Sequence, residues 1–331
     1  MKRKIAFIGT GGTIASLGLD PLDIVFYGDH KNMLHAADIL AAVPETAEVA
    51  DVVAIPFANI PSTAIGFTEW QQLVALCSRV VADDPDIAGL VIGHGTATLE
   101  ETAYFLNLTL KVAVPVVVVG SQRPLSGLSS DARLNLVNAI RVAAAPQSAG
   151  RGVLVLLNDE IHAAREVTKT ATFRLQTFRS PDFGILGYVD GETVAYYRRT
   201  ERQTAPVTEF DVSGLEALPR VDISYAYAGA DGADIDAFVA AGAKGIVSAG
   251  FAPGLVTPAQ IEALTRARKA GVVVMQSTRA GSGIVHRGRR LEELGFLTAD
   301  NLNPQKARIL LALALTVTDD PAAIARIFSL Y

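Results

Sequence analysis

The chain has 331 residues, half of them apolar and 19% charged, with 28 glycines and one cysteine. Disordered chains show the reverse balance, so this composition implies a folded protein, long enough for about two domains at ~150 residues each. The formal charge is 29 − 34 = −5 with no Lys/Arg block, which argues against a nucleic-acid partner or an anionic membrane surface.

In chain order, Lys2, Arg3 and Lys4 lead into an apolar run at 5–8, which residues 9–12 interrupt before a signal-peptide core can form. No uninterrupted apolar stretch reaches ~18 residues, so no membrane helix is expected, and a cytoplasmic enzyme or binding protein is the expectation. Strand-like runs recur at 52–55, 89–92, 114–119 and 153–157, and again at 221–225, 245–248 and 271–275. Several lack polar alternation, as strands covered on both faces do, so a mostly parallel sheet is predicted. Helical spacing of apolar residues falls between them at 68–81, 99–108 and 134–145. Cys77 sits in the first of these, after Leu73 and Leu76; it excludes an intramolecular disulfide and reads as a buried, inert thiol. Asn303 followed by Pro304 marks the start of a late helix. The strand rhythm lapses from 196 to 220, a segment with Arg198, Arg199, Arg202, Pro206 and Pro219. The fold expected is α/β: a larger N-terminal domain (1–205) with a mostly parallel sheet, a linker (206–219) and a smaller C-terminal α/β domain (220–331).

In open α/β sheets the chemistry lies beyond the carboxyl ends of the strands. After the first strand stands Gly9-Thr10-Gly11-Gly12-Thr13. It has neither the Lys-Ser/Thr of a phosphate-binding loop nor the Gly-x-Gly-x-x-Gly spacing of a dinucleotide site. The glycines serve a tight turn, or they bare backbone N–H groups and present the Thr13 hydroxyl. After the third strand stands His94-Gly95-Thr96-Ala97-Thr98, with Glu100 and Glu101 in the first turn of the next helix, where the helix dipole favours them. Thr98 with Glu101 fits a capping box, which leaves Thr96 to face the cleft. Ser121 follows the fourth strand, and Lys169 lies in Val167-Thr168-Lys169-Thr170. The five histidines show no ligand spacing, so no metal is expected. No Gly-x-Ser-x-Gly elbow is present. A threonine activated by a Lys or Tyr base, needing no cofactor, remains as the nucleophile option.

Taken together, Thr10-Gly11-Gly12-Thr13-Ile14-Ala15, His94-Gly95-Thr96-x-Thr98-Leu99-Glu100-Glu101-Thr102-Ala103, Val119-Gly120-Ser121-Gln122-Arg123-Pro124, Val167-Thr168-Lys169-Thr170 and Leu302-Asn303-Pro304-Gln305-Lys306-Ala307-Arg308 resemble the bacterial-type asparaginase/glutaminase family. The motifs follow the family's order from residue 5 to the C-terminus. The resemblance implies a flavodoxin-like C-terminal domain, no metal or cofactor, and a small-molecule substrate. It also implies a homo-oligomer built as a dimer of dimers. Thr13 is then the nucleophile, Tyr27 helps to activate it, and Thr96 with Lys169 is the second catalytic pair. Backbone N–H groups near Thr96 would stabilise the oxyanion. Gly12, Ser62, Thr63, Gly95, Ala97, Ser121 and Arg289 or Arg290 fall at substrate-binding positions.

Four positions depart from the family's pattern. Ala97 replaces the Asp that contacts the catalytic Lys and holds the substrate's α-ammonium. Thr63 replaces a Gln beside Ser62. Pro253 falls near an Asn that the neighbouring subunit contributes, and Arg289 or Arg290 near its Glu. Losing one charge partner in a buried pair costs roughly 3–5 kcal/mol, or about two to four decades in rate. The expectation is retained chemistry with altered recognition: an amide, imide or related acyl bond is cleaved in a substrate without a free α-ammonium. A genuine asparaginase and a non-catalytic small-ligand-binding protein are the alternatives.

Overall fold

The apolar runs of the first half assemble into one eight-stranded sheet. In the computed structural model, which describes residues 2–331, the chain enters it through β1 (Lys4–Gly9), β2 (Asp51–Ile55), β3 (Ile87–Gly93), β4 (Val116–Val119), β5 (Val153–Leu157) and β6 (Glu160–Ala163). A separate two-stranded ribbon follows, β7 (Thr168–Lys169) with β8 (Phe178–Arg179), and then β9 (Gly187–Asp190) and β10 (Thr193–Tyr196) complete the sheet. Its order is β10-β9-β6-β5-β4-β3-β1-β2. The five strands from β2 to β5 are parallel, whereas β6, β9 and β10 pair antiparallel at the other edge.

Both faces of the parallel part are buried, which explains strands without polar alternation. Odd-numbered residues of β1 and β3 (Ile5, Phe7, Val91) face the helix Ala132–Ala144 through Leu136 and Ile140. Even-numbered ones (Ala6, Ile8, Leu90, Ile92) face Leu73 and Leu76 of the helix Phe67–Asp83, and Leu99, Ala103 and Leu106 of the helix Leu99–Thr109. The two-residue period of a strand sorts side chains this way, and each fully buried Leu, Ile or Val contributes ~1.5–3 kcal/mol. Cys77 is fully buried in the second layer, where burial pushes its thiol up to about 12, so it is inert as expected.

The units divide at residues 2–209 and 210–331. In the second, β11 (Val221–Tyr225), β12 (Gly245–Gly250), β13 (Val273–Thr278) and β14 (Leu297–Thr298) form a parallel sheet in chain order. The helix Pro304–Ala314 begins as expected, with the Asn303 side chain accepting from the Lys306 N–H at 3.1 Å. Two strands start later than the apolar runs predict. β4 begins at Val116 because Pro115 has no N–H to pair. β13 begins at Val273 because Gly271, at φ +90°, belongs to the turn after the helix Pro258–Lys269.

His94 leaves the end of β3, its N–H donating to Val119 O at 2.8 Å. Its ring is fully buried and Nδ1–H donates to Gly95 O at 2.8 Å. Burial pushes the imidazole down to about 4, so it is neutral in the fold. An unfolded histidine titrates near ~6.5. The stability gained by burying the neutral ring is therefore fully present above pH ~6.5 and is lost as pH falls toward 4, to a total of about 3 kcal/mol. His94→Gln should flatten the pH dependence of stability across that window. Urea midpoints measured from pH 7 to 4 check this, and an unchanged slope would contradict it.

Candidate active site

Three loops at the carboxyl ends of β1, β2 and β3 meet at glycines. Thr10 N–H and Oγ1–H both donate to Gly93 O, at 2.9 and 3.0 Å, so the loops after β1 and β3 depart together. Gly12 has φ +81°, and a Cβ there would lie 2.2 Å from Gly95 Cα. A Cβ on Gly95 would lie 2.7 Å from Ser62 Oγ. No side chain fits at either point, so the turn and the backbone approach both require glycine.

This packing brings a hydroxyl–hydroxyl pair and a hydroxyl–amine pair to the carboxyl end of the sheet. Thr13 opens the short 3-10 helix Thr13–Ala15, and its Oγ1 lies 2.8 Å from Tyr27 Oη, either oxygen being able to donate. Tyr27 opens a second 3-10 turn, Tyr27–His30. Asp23 ties that loop down: its carboxylate accepts from the N–H groups of Leu19 and Phe26, both at 3.1 Å, and lies 3.1 Å from His30 Nε2. The second pair is Thr96 and Lys169, with Nζ donating to Thr96 Oγ1 at 2.7 Å. Burial lowers the pKa of Lys169, and the Glu100 carboxylate opposes that shift. Glu100 also accepts from the Thr168 hydroxyl at 3.2 Å and from the Lys169 N–H at 3.3 Å. It therefore fixes the short strand β7 that presents the lysine.

Thr13, Tyr27, Ser62, Thr63, Thr96 and Ala97 line one cavity of about 640 Å³, with Gly12 and Gly95 on its wall. That volume is in the range of small-molecule sites. No Asp or Glu stands among its lining residues. Lys31, Asn32 and Met33 also line it, and sequence reasoning missed them. Their signal was only their position a few residues past Tyr27. Glu100 was legible as a first-turn carboxylate but not as the partner of Lys169, because that contact joins elements distant in sequence.

Other expected site residues lie elsewhere. Ser121 is not on the cavity wall; its buried hydroxyl donates to Arg123 O at 2.7 Å. The capping box at Thr98 is corrected as well. No side-chain cap forms there, and the hydroxyl donates instead to Ser62 O at 2.7 Å, tying the loop after β2 to the loop after β3. Arg289 and Arg290 are exposed and begin the short helix Arg289–Glu293 of the second unit. Within that unit His286 N–H donates to Pro253 O at 3.3 Å, so the segments 251–254 and 286–290 are neighbours. Among the described residues no group of three or more His, Cys, Asp or Glu could hold a metal ion, and no helix is long and apolar enough to cross a membrane.

A threonine–tyrosine pair and a threonine–lysine pair thus stand beside one cavity at the carboxyl end of an α/β sheet, the place where open α/β folds bind small molecules. The profile described as "Asparaginase, N-terminal" matches residues 4–202, and "Glutaminase/Asparaginase C-terminal domain" matches residues 220–328. "L-asparaginase 2" of Bacillus subtilis is 42% identical over 99% of this chain and 86% of its own length. "Probable L-asparaginase periplasmic" of Haemophilus influenzae is 42% identical over 98% of this chain and 92% of its own. A crystal structure titled as a probable cytoplasmic L-asparaginase from Campylobacter jejuni superposes with a TM-score of 0.94 at 40% identity, covering 100% of both chains. The chain belongs to the bacterial-type asparaginase/glutaminase family. It is accordingly a hydrolase acting on carbon–nitrogen bonds other than peptide bonds.

Proposed function

We propose that the protein uses Thr13 to hydrolyse the amide, imide or related acyl bond of a small substrate that lacks a free α-ammonium. The observation that carries this reading is a cavity lined by Thr13, Tyr27 and Thr96, with Thr13–Tyr27 and Thr96–Lys169 at hydrogen-bond distance and no carboxylate among its lining residues. An ammonium brought there would lose its water and gain no counter-charge, which is costly.

With an amide substrate, Tyr27 Oη accepts the proton of Thr13 while its own phenolic proton passes to the leaving nitrogen, as Oγ1 attacks the carbonyl carbon. The carbon–nitrogen bond breaks, and ammonia leaves with that proton. Lys169, held toward its neutral form by burial, accepts a proton through Thr96 from the water that attacks the Thr13 ester. The proton held by Lys169 returns through Thr96 to the Thr13 oxygen as the acyl–oxygen bond breaks and the acid product departs. No metal or cofactor takes part in this scheme.

A second reading is a genuine L-asparaginase, favoured by the descriptions of relatives that are 41–42% identical. It requires the carboxylates that Ala97 and the 286–290 segment no longer supply to come from elsewhere. A homo-oligomer is part of both readings, with the segments 251–254 and 287–290 facing a partner's Thr13 loop. Obligate interfaces of this kind bury more than ~2,000 Å². Sedimentation should show a stable oligomer at nanomolar concentration, and a monomer with full activity there would remove this element.

Thr13→Ala should cut turnover by several decades, while the melting temperature stays within about 2 °C, since Thr13 is half-buried on a loop. Retention of a tenth of the rate would remove Thr13 as nucleophile.

Ala97→Asp separates the two substrate readings. On the preferred one, a new carboxylate within ~4–6 Å of Lys169 raises its pKa and favours the protonated amine, so activity falls. L-Asparagine gains little, because Thr63 and the second-unit positions are unchanged. On the other reading a recovered charge-assisted bond of about 1.5–3 kcal/mol lowers KM for L-asparagine by one to two decades. Steady-state kinetics of the variant on L-asparagine decides, and a large gain would overturn the preferred reading.

A further inference from the structure

Lys31 lines the cavity with Thr13, and it is the only Asp, Glu, Lys or Arg among the cavity's lining residues. It forms no hydrogen bond or ion pair through its ammonium among the described residues. Its backbone is unusual too: φ is 51° and ψ is 26°, the left-handed region that L side chains disfavour. Residues held in such conformations persist only where their surroundings over-determine them, and they cluster at ligand sites.

The surroundings do so here. The Lys31 N–H closes the turn that Tyr27 opens, donating to Gly28 O at 3.4 Å. Just beyond it, Asn32 O accepts from Leu17 N–H at 2.9 Å, and Met33 bridges to Ser16. Lys31 is thus fixed between Tyr27, which contacts Thr13, and a segment pinned to the chain just past Thr13. Around it the wall is uncharged, with Met33, Pro61 and Ala97 supplying apolar surface.

We infer that Lys31 determines specificity by pairing with a carboxylate of the substrate. The substrate class is then the monoamide of a dicarboxylic acid, with an apolar spacer, one free carboxylate and no ammonium. The inference rests on the proposed function and names the substrate class of that same site. A carboxylate at Lys31 also engages the turn that carries Tyr27, so binding the correct substrate holds Tyr27 against Thr13.

The test compares succinamate, its neutral methyl ester and L-asparagine on the full-length protein. Each is measured with wild type, Lys31→Met and Lys31→Arg, by ammonia release and by calorimetric binding. Wild type should favour succinamate over both other compounds. Lys31→Met should lower the acid-to-ester ratio of kcat/KM, and of affinity, by ten- to a hundred-fold, mainly through KM. Lys31→Arg, which keeps the charge, should hold the ratio within about threefold. An acid-to-ester ratio that Lys31→Met leaves unchanged, or failure of wild type to bind succinamate, would overturn the assignment. A wild-type preference for L-asparagine would instead overturn the reading of the site on which it rests. Circular dichroism of the three proteins separates misfolding from lost recognition, and a folded Lys31→Met with an unchanged ratio counts against the inference.

Discussion

The site depends on two glycines that touch. Gly12 and Gly95 close the gap between the loops after β1 and β3 so completely that a Cβ on the first would fall 2.2 Å from the Cα of the second. That approach is possible because the two strands are direct parallel neighbours, paired through to Gly9 and Gly93. The Ser62 segment completes the arrangement, held by the Thr98 hydroxyl on its carbonyl. A close-packed interior allows few intermediate states, so a contact this tight makes the relative position of Thr13 and Thr96 a property of the sheet rather than of the loops. The entropy lost by ordering glycines is offset by the buried strands behind them.

Charge is distributed in the site by depth. Glu100 stands behind Thr96, its carboxylate committed to Thr168, the Lys169 N–H and the field at the Lys169 amine. Burial lowers the pKa of the amine and the Glu100 carboxylate opposes that shift. Ala97, at the cavity wall, adds nothing to that balance. Catalytic electrostatics and substrate electrostatics are thereby separated: the carboxylate that tunes the lysine does not line the cavity. Loss of the Asp at position 97 can thus alter recognition while the base keeps a carboxylate partner.

Much of this was legible in the sequence, for identifiable reasons. Strands buried on both faces write themselves as runs such as Val116–Val119, and the Asn303–Pro304 start announces the last long apolar helix because both signals are local. Thr13, Tyr27 and Thr96 were singled out as residues after strand ends or from the family motifs, and they share one cavity wall. What was not legible is tertiary. Thr98 matched a capping pattern, but its hydroxyl is used across loops, where a bond to Ser62 O joins two segments that no local rule relates. Ser121 followed a strand end as the others do, yet its hydroxyl turned inward to Arg123 O. Lys31 carried no motif, and only its left-handed backbone and its cavity face distinguish it.

The two kinds of residue sit on elements of different firmness, and that division has a mechanistic sense. Thr13, Thr96 and Lys169 hang from strand ends or from the short ribbon that Glu100 secures. Tyr27 and Lys31 belong instead to a surface loop, anchored by Asp23, the Ser126 hydroxyl on Gly18 N–H and the Ser16–Met33 bridge. Leu22 and Phe26 of that loop are largely exposed, so it buries little apolar area and relies on polar ties. Segments with few buried contacts are the ones whose local stability is low enough for ligand contacts to reorder them. Tyr27 and Lys31 share one such segment. On the proposed function, substrate recognition at the loop and proton transfer at Thr13 are mechanically joined, so that binding energy gained at Lys31 is spent on placing Tyr27.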